Sequence, residues 1–153
     1  CGRFFVGCTR FSCKISTKRF YEYIKLKREI RMSETRKIDV IIPTYHPDEK
    51  LEKCLRMLKR QTVQPQRILL INTEEEFFHS KVFSTLKQGE IIHITKPEFD
   101  HGGTRNQAAA MCDGEIMILL TQDAIPADEH LIENLIKPFE DEEVCAAYGR
   151  QKG

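Results

Sequence analysis

The sequence has no apolar segment that approaches the roughly 20 residues a transmembrane helix requires. It also lacks a strong net charge, because 24 Lys and Arg stand against 23 Asp and Glu, which argues against a general nucleic-acid-binding protein. No G-x-G-x-x-G turn follows the first apolar run, and no Walker lysine motif occurs, so NAD binding and P-loop ATP chemistry are disfavoured. Of 153 residues, 41% are hydrophobic, which suits one folded domain and excludes wholesale disorder.

The small net charge hides an asymmetry between two parts of the chain. Residues 1–31 carry nine basic and two acidic side chains, whereas the remainder is net acidic. The basic part holds three cysteines, but it has neither a C-x-x-C pair nor a His, which argues against a zinc site. Met32 precedes the first clear strand, so we predict a disordered or non-native translated leader before it and one domain over 32–153. A native basic arm that contacts phosphate or anionic lipid is the alternative.

Short apolar runs alternate with helical patterns from residue 38 onward. We predict strands and helices in alternation, with strands at 38–42, 67–72, 91–95, 115–121 and 144–148, and helices at 48–60, 75–87, 104–112 and 128–137. This alternation predicts an α/β fold, a mostly parallel sheet with helices on both faces. Ligands of such sheets bind beyond the carboxyl ends of the strands, so the loops there should carry the chemistry.

Four segments at these positions carry a family resemblance. They are IIPTYH (41–46), FDHGGTRN (99–106), TQDA (121–124) and AAYGRQ (146–151). In this order they resemble family 2 glycosyltransferases with a Rossmann-like GT-A fold, in the rhamnosyltransferase-like branch. The resemblance implies that residues 32–153 are the nucleotide-sugar-binding half of such a domain, so that the fold is truncated. The resemblance implies transfer of a sugar from a nucleoside diphosphate, dTDP-rhamnose or a UDP-sugar, to a growing cell-surface polysaccharide or lipid-linked saccharide. It further implies Mn²⁺ or Mg²⁺ as cofactor and a cytoplasmic location, with peripheral contact at the inner face of the membrane as a further expectation.

Asp123 is the candidate metal ligand, because it follows the most apolar predicted strand and should lie at the carboxyl edge of the sheet. A divalent ion held there would bridge the carboxylate to the diphosphate oxygens. The family motif is commonly D-x-D, but here it reads Thr121-Gln122-Asp123, so the first acid is missing. Either Thr121 or Gln122 takes its role as a neutral group, or metal binding is weaker. A solvated Asp in a turn is the competing interpretation.

The resemblance implies that Gln122 and Asp123 belong to the donor-binding site, and it places the other donor-binding residues in three loops. Those after the first two strands would contact the base and ribose: Pro43, Thr44, Tyr45, Asn72 and Thr73. The family often has an Asp after the second strand; here it is absent unless Glu74 replaces it. The third loop would line the donor pocket and contact the diphosphate through Asp100, His101, Gly102, Gly103 and Arg105.

The residues of this third loop also support an anion site on physical grounds. The two glycines allow positive φ and close backbone approach. Thr104 can cap a helix that begins at Arg105, and the amino end of that helix favours an anion. An ordinary capped helix with a solvated Arg is the alternative.

The general base that an inverting enzyme requires is not assigned. The resemblance places it well downstream of Asp123, beyond Gly153, so we expect this chain to bind a nucleotide and to transfer little sugar. A non-catalytic nucleotide-binding or regulatory α/β module is the competing function. Lys59 and Arg60 could contact an anionic membrane or simply form the polar end of a helix, and Cys54 is expected to be a packing residue.

Overall fold

The computed structural model describes residues 36–150, so the expectation for residues 1–31 lies outside the described part of the chain. Four strands are present: β1 (Ile38–Tyr45), β2 (Arg67–Thr73), β3 (Gly89–Ile94) and β4 (Ile116–Leu119). Three α-helices are α1 (Glu49–Lys59), α2 (Gly103–Ala110) and α3 (Leu131–Ile136). Short 3₁₀ turns cover Glu75–Phe77, Phe83–Thr85, Lys96–Glu98 and Lys137–Glu140. None of the helices between residues 36 and 150 has both the length and the apolar character needed to cross a membrane.

The four strands form one parallel sheet in the order β3-β2-β1-β4, which confirms the predicted fold class. One face packs on α1 and α3, through side chains such as Leu55 and Ile132. The other face packs on α2, where Ala108 contacts Ile41 and Leu69. The two central strands, β1 and β2, are buried nearly throughout because helices cover both faces.

The end residues of α1 and the spacing of its apolar side chains explain why this segment is helical. Asp48 precedes its first turn, and its carboxylate accepts a hydrogen bond from the Lys50 N–H at 2.9 Å. Acidic residues occupy the first turn and basic residues the last, as the helix dipole favours. Leu51, Cys54, Leu55 and Leu58 form the buried face, so the predicted packing role of Cys54 is confirmed.

β1 continues three residues beyond its predicted end at residue 42, although Pro43 follows that end directly. The Ile41 carbonyl accepts from the Leu120 N–H, so Ile41 and Pro43 both direct their backbone groups toward β4. Pairing between β1 and β4 ends at Ile41 and Leu119. The missing N–H of Pro43 therefore removes no ladder hydrogen bond, and the strand runs on to Tyr45.

The predicted helix over 75–87 is wrong. The structure has two separate 3₁₀ turns there, and Glu74 enters the first with a positive φ of 64°. Phe78 is extended between them, yet Phe78, Val82 and Phe83 pack against the core as their helical spacing suggested. Periodicity thus identified which side chains are inside but not the backbone conformation that places them there.

The predicted strand over 144–148 is also wrong, since these residues are irregular and Tyr148 is 96% exposed. An isolated segment has no ladder partner, and apolar residues alone do not make a strand. β4 is shorter than predicted, and its side chains alternate between buried and exposed. Met117 and Leu119 lie on the exposed side, so β4 is covered on one face only.

A buried carboxylate joins the strands at the amino edge of the sheet. Asp39 is fully buried and accepts hydrogen bonds from Gln66 Nε2 at 3.0 Å, Arg67 Nη2 at 3.1 Å and the Gly114 N–H at 3.0 Å. Burial raises the pKa of Asp39, but these hydrogen bonds and the Arg67 charge together lower it by more. The pKa of Asp39 therefore lies below its ordinary value. Asp39 also accepts from the Asp113 N–H, so it fixes the connection that leads into β4.

Candidate functional site

The end of β1 and the loop after β4 are held together by one side chain at the carboxyl edge of the sheet. Gln122 Oε1 accepts from the Tyr45 N–H at 2.9 Å, and Gln122 Nε2 donates to the Tyr45 carbonyl at 3.1 Å. This two-bond contact imitates a strand pair where the β1–β4 ladder has ended. Both the oxygen and the nitrogen of the Gln122 amide thus bind the Tyr45 backbone, so its observed role is to join two loops that sequence alone placed separately.

Asp123 follows this contact and its side chain is exposed. A hydrogen bond from Thr121, a backbone hydrogen bond and the charge of Lys50 hold the pKa of Asp123 below its ordinary value. The carboxylate is therefore ionised at neutral pH and available to a cation. Thr121, which stands where D-x-D has its first acid, serves here as the hydrogen-bond partner of Asp123.

The loop that carries Asp123 rests on α1. Cys54 Sγ donates to the Ala124 carbonyl at 3.4 Å. Burial, and then the negative charge of Asp123, raises the pKa of the Cys54 thiol to about 12. The thiol is thus neutral at physiological pH and acts as a packing and hydrogen-bonding group beneath the loop.

These residues fit a divalent ion whose other ligands come from a bound diphosphate. Within residues 36–150 there is no cluster of three or more His, Cys, Asp or Glu side chains that could enclose a metal. Asp123 offers an exposed, ionised carboxylate at the edge. Mg²⁺ is commonly held by one or two carboxylates, phosphate oxygens and waters, so Asp123 suits an ion whose other ligands come from a bound diphosphate.

Three of the residues predicted to bind the donor have buried side chains, namely Thr44, Asn72 and Thr73. Thr44 Oγ1 donates to Asn72 Oδ1 at 3.0 Å, while Asn72 Nδ2 donates to the Glu74 carbonyl and contacts His93 Nδ1, both at 3.1 Å. These bonds form a chain across β1, β2 and β3 beneath the edge. Thr73 is buried on the opposite face, and its hydroxyl has no hydrogen-bond partner among residues 36–150.

The loop before α2 has a different geometry from the one predicted. The helix begins at Gly103, and Thr104 is no cap, because its buried Oγ1 accepts from the Asp100 N–H at 3.2 Å. The Asp100 carboxylate instead accepts from the Gly103 N–H. No glycine of the described residues has positive φ, so that expectation is wrong. A Cβ on Gly103 would lie 2.9 Å from Asp100 Oδ2, and this close approach explains the glycine.

Arg105 lies on the first turn of α2 and is half-buried. Its Nη1 donates to the His101 carbonyl at 2.7 Å, which leaves the other guanidinium donors available. Because α2 runs antiparallel to the strands, its first turn, including Arg105, lies at the carboxyl edge with Tyr45 and Asp123. Phe99 and the exposed His101 form an edge-to-face ring pair on this loop.

Sequence reasoning missed an aromatic group around Tyr45, whose side chain is 40% exposed. His46 stacks on Phe77 with ring centroids 3.9 Å apart and meets Tyr45 edge-on at 4.2 Å. Lys96 Nζ lies 5.7 Å from the centroid of the Tyr45 ring. Phe77 and Lys96 are distant in sequence and follow different strands, so no local motif could have joined them. Together these side chains offer a ring surface and a cation beside the β1 end.

The chain belongs to glycosyl transferase family 2, whose family model matches residues 39–153. It is 40% identical over 116 residues to the O-antigen chain rhamnosyltransferase RfbN of Salmonella typhimurium strain LT2, a match that covers 75% of this chain and 37% of RfbN. It is 33% identical over 114 residues to the O-antigen chain rhamnosyltransferase WbaN of Salmonella anatum, covering 73% of this chain and 36% of WbaN. The chain therefore spans little more than a third of the length of these relatives.

Among solved structures, the crystal structure of S. aureus TarS is similar to the chain with a TM-score of 0.49 and 19% sequence identity. The similarity covers 67% of this chain and 20% of TarS.

Proposed function

We propose that this chain is the donor-binding portion of a glycosyltransferase that moves a sugar from a nucleoside diphosphate to a saccharide acceptor. The observation that carries the proposal is the Gln122–Tyr45 contact. It brings an ionised carboxylate, Asp123, to the same edge as an exposed aromatic ring. A nucleoside diphosphate bound with a metal ion can use both features, the ring as a surface for its base and the carboxylate to hold the ion that neutralises its diphosphate.

The donor residues divide into two groups in this proposal. Tyr45 and its neighbouring rings contact the base and ribose, while the remaining guanidinium donors of Arg105 face the diphosphate. Asp100, His101, Gly102 and Gly103 shape that loop, and Pro43 leads β1 into the edge. Thr44, Asn72 and Thr73 support the site from below, because the structure buries them.

Metal dependence is part of the proposal. Mn²⁺ or Mg²⁺ would be held by Asp123 and by the diphosphate, and it would stabilise the charge that develops on the leaving group. A single exposed carboxylate binds such ions weakly. We therefore expect metal and nucleotide to bind together and each to be weak alone.

The donor and acceptor follow from the relatives. RfbN and WbaN are named O-antigen chain rhamnosyltransferases. On that ground we propose dTDP-rhamnose or a related pyrimidine-nucleotide sugar as donor, and a growing polysaccharide or lipid-linked saccharide as acceptor. The reaction would take place where nucleotide sugars are made, in the cytoplasm, at the inner face of the membrane. We assign no general base to the described residues.

The test is the thermal stability of the chain with dTDP, UDP and GDP, each with and without Mn²⁺. A ligand at one hundred times its dissociation constant stabilises the folded state by about 2.7 kcal/mol, which shifts the midpoint visibly. Asp123→Asn should abolish the Mn²⁺-dependent part of the shift. Asp128→Asn is the matched control, since Asp128 Oδ1 only accepts from the His130 N–H, which Asn can also do.

The outcomes separate the candidate functions. A pyrimidine-selective shift that requires Mn²⁺ and Asp123 supports the glycosyltransferase. A folded chain that shows no shift with any nucleotide would contradict the proposal and favour a non-catalytic module.

A further inference from the structure

An open groove of about 560 Å³ lies between the outer face of α1 and the loop that follows Asp123. Four basic side chains line it: Lys53, Arg56, Lys59 and Arg60. No acidic side chain is among the described residues that line the groove. We call this feature the basic groove.

The basic side chains of the groove lie on the solvent side of α1. Lys53, Arg56 and Arg60 are spaced i, i+3 and i+7, so they form one stripe along the helix. The stripe lies opposite the face that carries Leu51 and Leu55, which is buried against the sheet. Because the opposite face of α1 packs on the core, the face that carries the stripe points to solvent. All three of its side chains are exposed.

The charges of the stripe are not neutralised within the described part of the chain. Lys53, Arg56 and Arg60 form no ion pair with any residue between 36 and 150. On the adjoining loop, the Asp128 carboxylate accepts from the His130 N–H. An anion that approached the groove would meet basic side chains that no carboxylate of the described residues holds in an ion pair.

The groove also presents apolar surface between its cations. Met57 is half-buried at its floor, and Ile125 is 42% exposed at its wall. The groove is open and not a closed pocket of the kind in which the anchoring residues of protein–protein interfaces are buried. Flexible cations around scattered aliphatic side chains suit the diffuse negative charge and apolar boundary of a lipid surface.

We propose that the basic groove docks the protein onto a bilayer that contains anionic phospholipid. Ile125 lies two residues after Asp123, so docking by this groove would hold the candidate donor loop next to the membrane. That orientation rests on the proposed function, since it matters only if the acceptor is carried by a lipid. The docking itself depends on the charges of α1 and needs neither nucleotide nor metal.

The experiment is co-sedimentation of the 153-residue chain with vesicles of phosphatidylglycerol and phosphatidylcholine, and with vesicles of phosphatidylcholine alone. Three proteins are compared: the unmodified chain and two variants that each lose three positive charges. The groove variant is Lys53→Gln, Arg56→Gln and Arg60→Gln. The control variant is Lys81→Gln, Lys87→Gln and Lys137→Gln, whose side chains are exposed elsewhere.

Each basic side chain close to an anionic surface strengthens binding about fivefold, so the groove variant should bind roughly 100-fold more weakly than the unmodified chain. The control variant should bind nearly as well as the unmodified chain, and vesicles without anionic lipid should bind none of the three. Residues 1–31 are basic in all three proteins, so their contribution cancels.

Three outcomes would overturn the proposal. They are an unmodified chain that ignores anionic vesicles, an equal loss in both variants, and a groove variant that binds as well as the control. All three are independent of donor binding, because dTDP and Mn²⁺ stabilisation is measured separately on the same proteins. Unchanged thermal midpoints of the variants without ligand would show that the exposed substitutions leave the fold intact.

Discussion

Replacing Asp39 by Asn should destabilise the fold far more than the same change at a neighbouring carboxylate. Asp39 and Asp113 both pair with Arg67 Nη2, at 3.1 Å and 3.3 Å. They differ in environment, because the Asp39 side chain is fully buried whereas that of Asp113 is 74% exposed. Asp39 also accepts from Gln66 Nε2 and from the N–H groups of Asp113 and Gly114.

The magnitude follows from these contacts. Removing one member of a buried ion pair commonly costs about 3–5 kcal/mol, because the remaining charge and donors lose their partner. Arg67 is partly exposed and keeps Asp113 and Glu90 as partners, so we expect the lower end, about 3 kcal/mol. Asp113→Asn removes an exposed pair, which is typically worth no more than about 1 kcal/mol.

The assay is urea unfolding at pH 7 of the unmodified chain and the two variants. For a domain of this size the urea m value is about 1–3 kcal/mol/M, so Asp39→Asn should lower the midpoint by roughly 1–3 M. Asp113→Asn should lower it by a few tenths of that. Equal losses, or a larger loss for Asp113→Asn, would refute the argument that burial of Asp39 makes its contacts costly to lose.

The pH dependence gives a second check on Asp39. Its pKa is lower in the folded than in the unfolded chain, so its carboxylate stabilises the fold above the ordinary pKa of about 4. That contribution is lost as the pH falls through the lower, folded-state pKa. The difference in unfolding free energy between the unmodified chain and Asp39→Asn should therefore be constant from pH 5 to 8 and shrink under more acid conditions. A difference that grows on acidification would contradict this assignment.

Two further predictions concern the candidate site. Gln122→Ala removes both hydrogen bonds to Tyr45, so we expect a loss of about 1–2 kcal/mol of stability, measured by urea unfolding. We also expect weaker nucleotide binding, measured by calorimetry. Tighter Mn²⁺ binding in this variant would contradict the role of Gln122 in joining the two loops. Thr44→Val leaves Asn72 Oδ1 buried without its donor and should cost about 1–3 kcal/mol, whereas Thr44→Ser should recover most of that stability. A Val variant as stable as the unmodified chain would contradict this role of the Thr44 hydroxyl.

Several features of the fold could be predicted from local sequence. The apolar runs predicted four of the strands, and the spacing of Leu51, Cys54, Leu55 and Leu58 predicted α1 and its buried face. These signals are reliable because a strand or helix must direct its apolar side chains to one core whatever its neighbours are. The order of the motifs likewise predicted the family to which the chain belongs.

The errors arose where the backbone depends on distant partners. Phe78, Val82 and Phe83 are in the core as expected, but irregular backbone rather than a helix places them there. Tyr148 lies in an apolar segment whose composition predicts a strand, yet no neighbouring strand pairs with it in the described part of the chain. The apolar pattern determines which side chains are buried, whereas strand pairing and turn geometry determine the backbone conformation.

The candidate site shows the same division. By itself the sequence determined that polar residues follow each strand and that Asp123 would lie at the carboxyl edge, because a parallel sheet places all strand ends on one side. Only the tertiary structure decided that the Gln122 amide binds the Tyr45 backbone and that Thr44 and Asn72 lie beneath the surface. Each of these outcomes depends on contacts between segments 28 to 77 residues apart, which no local pattern specifies.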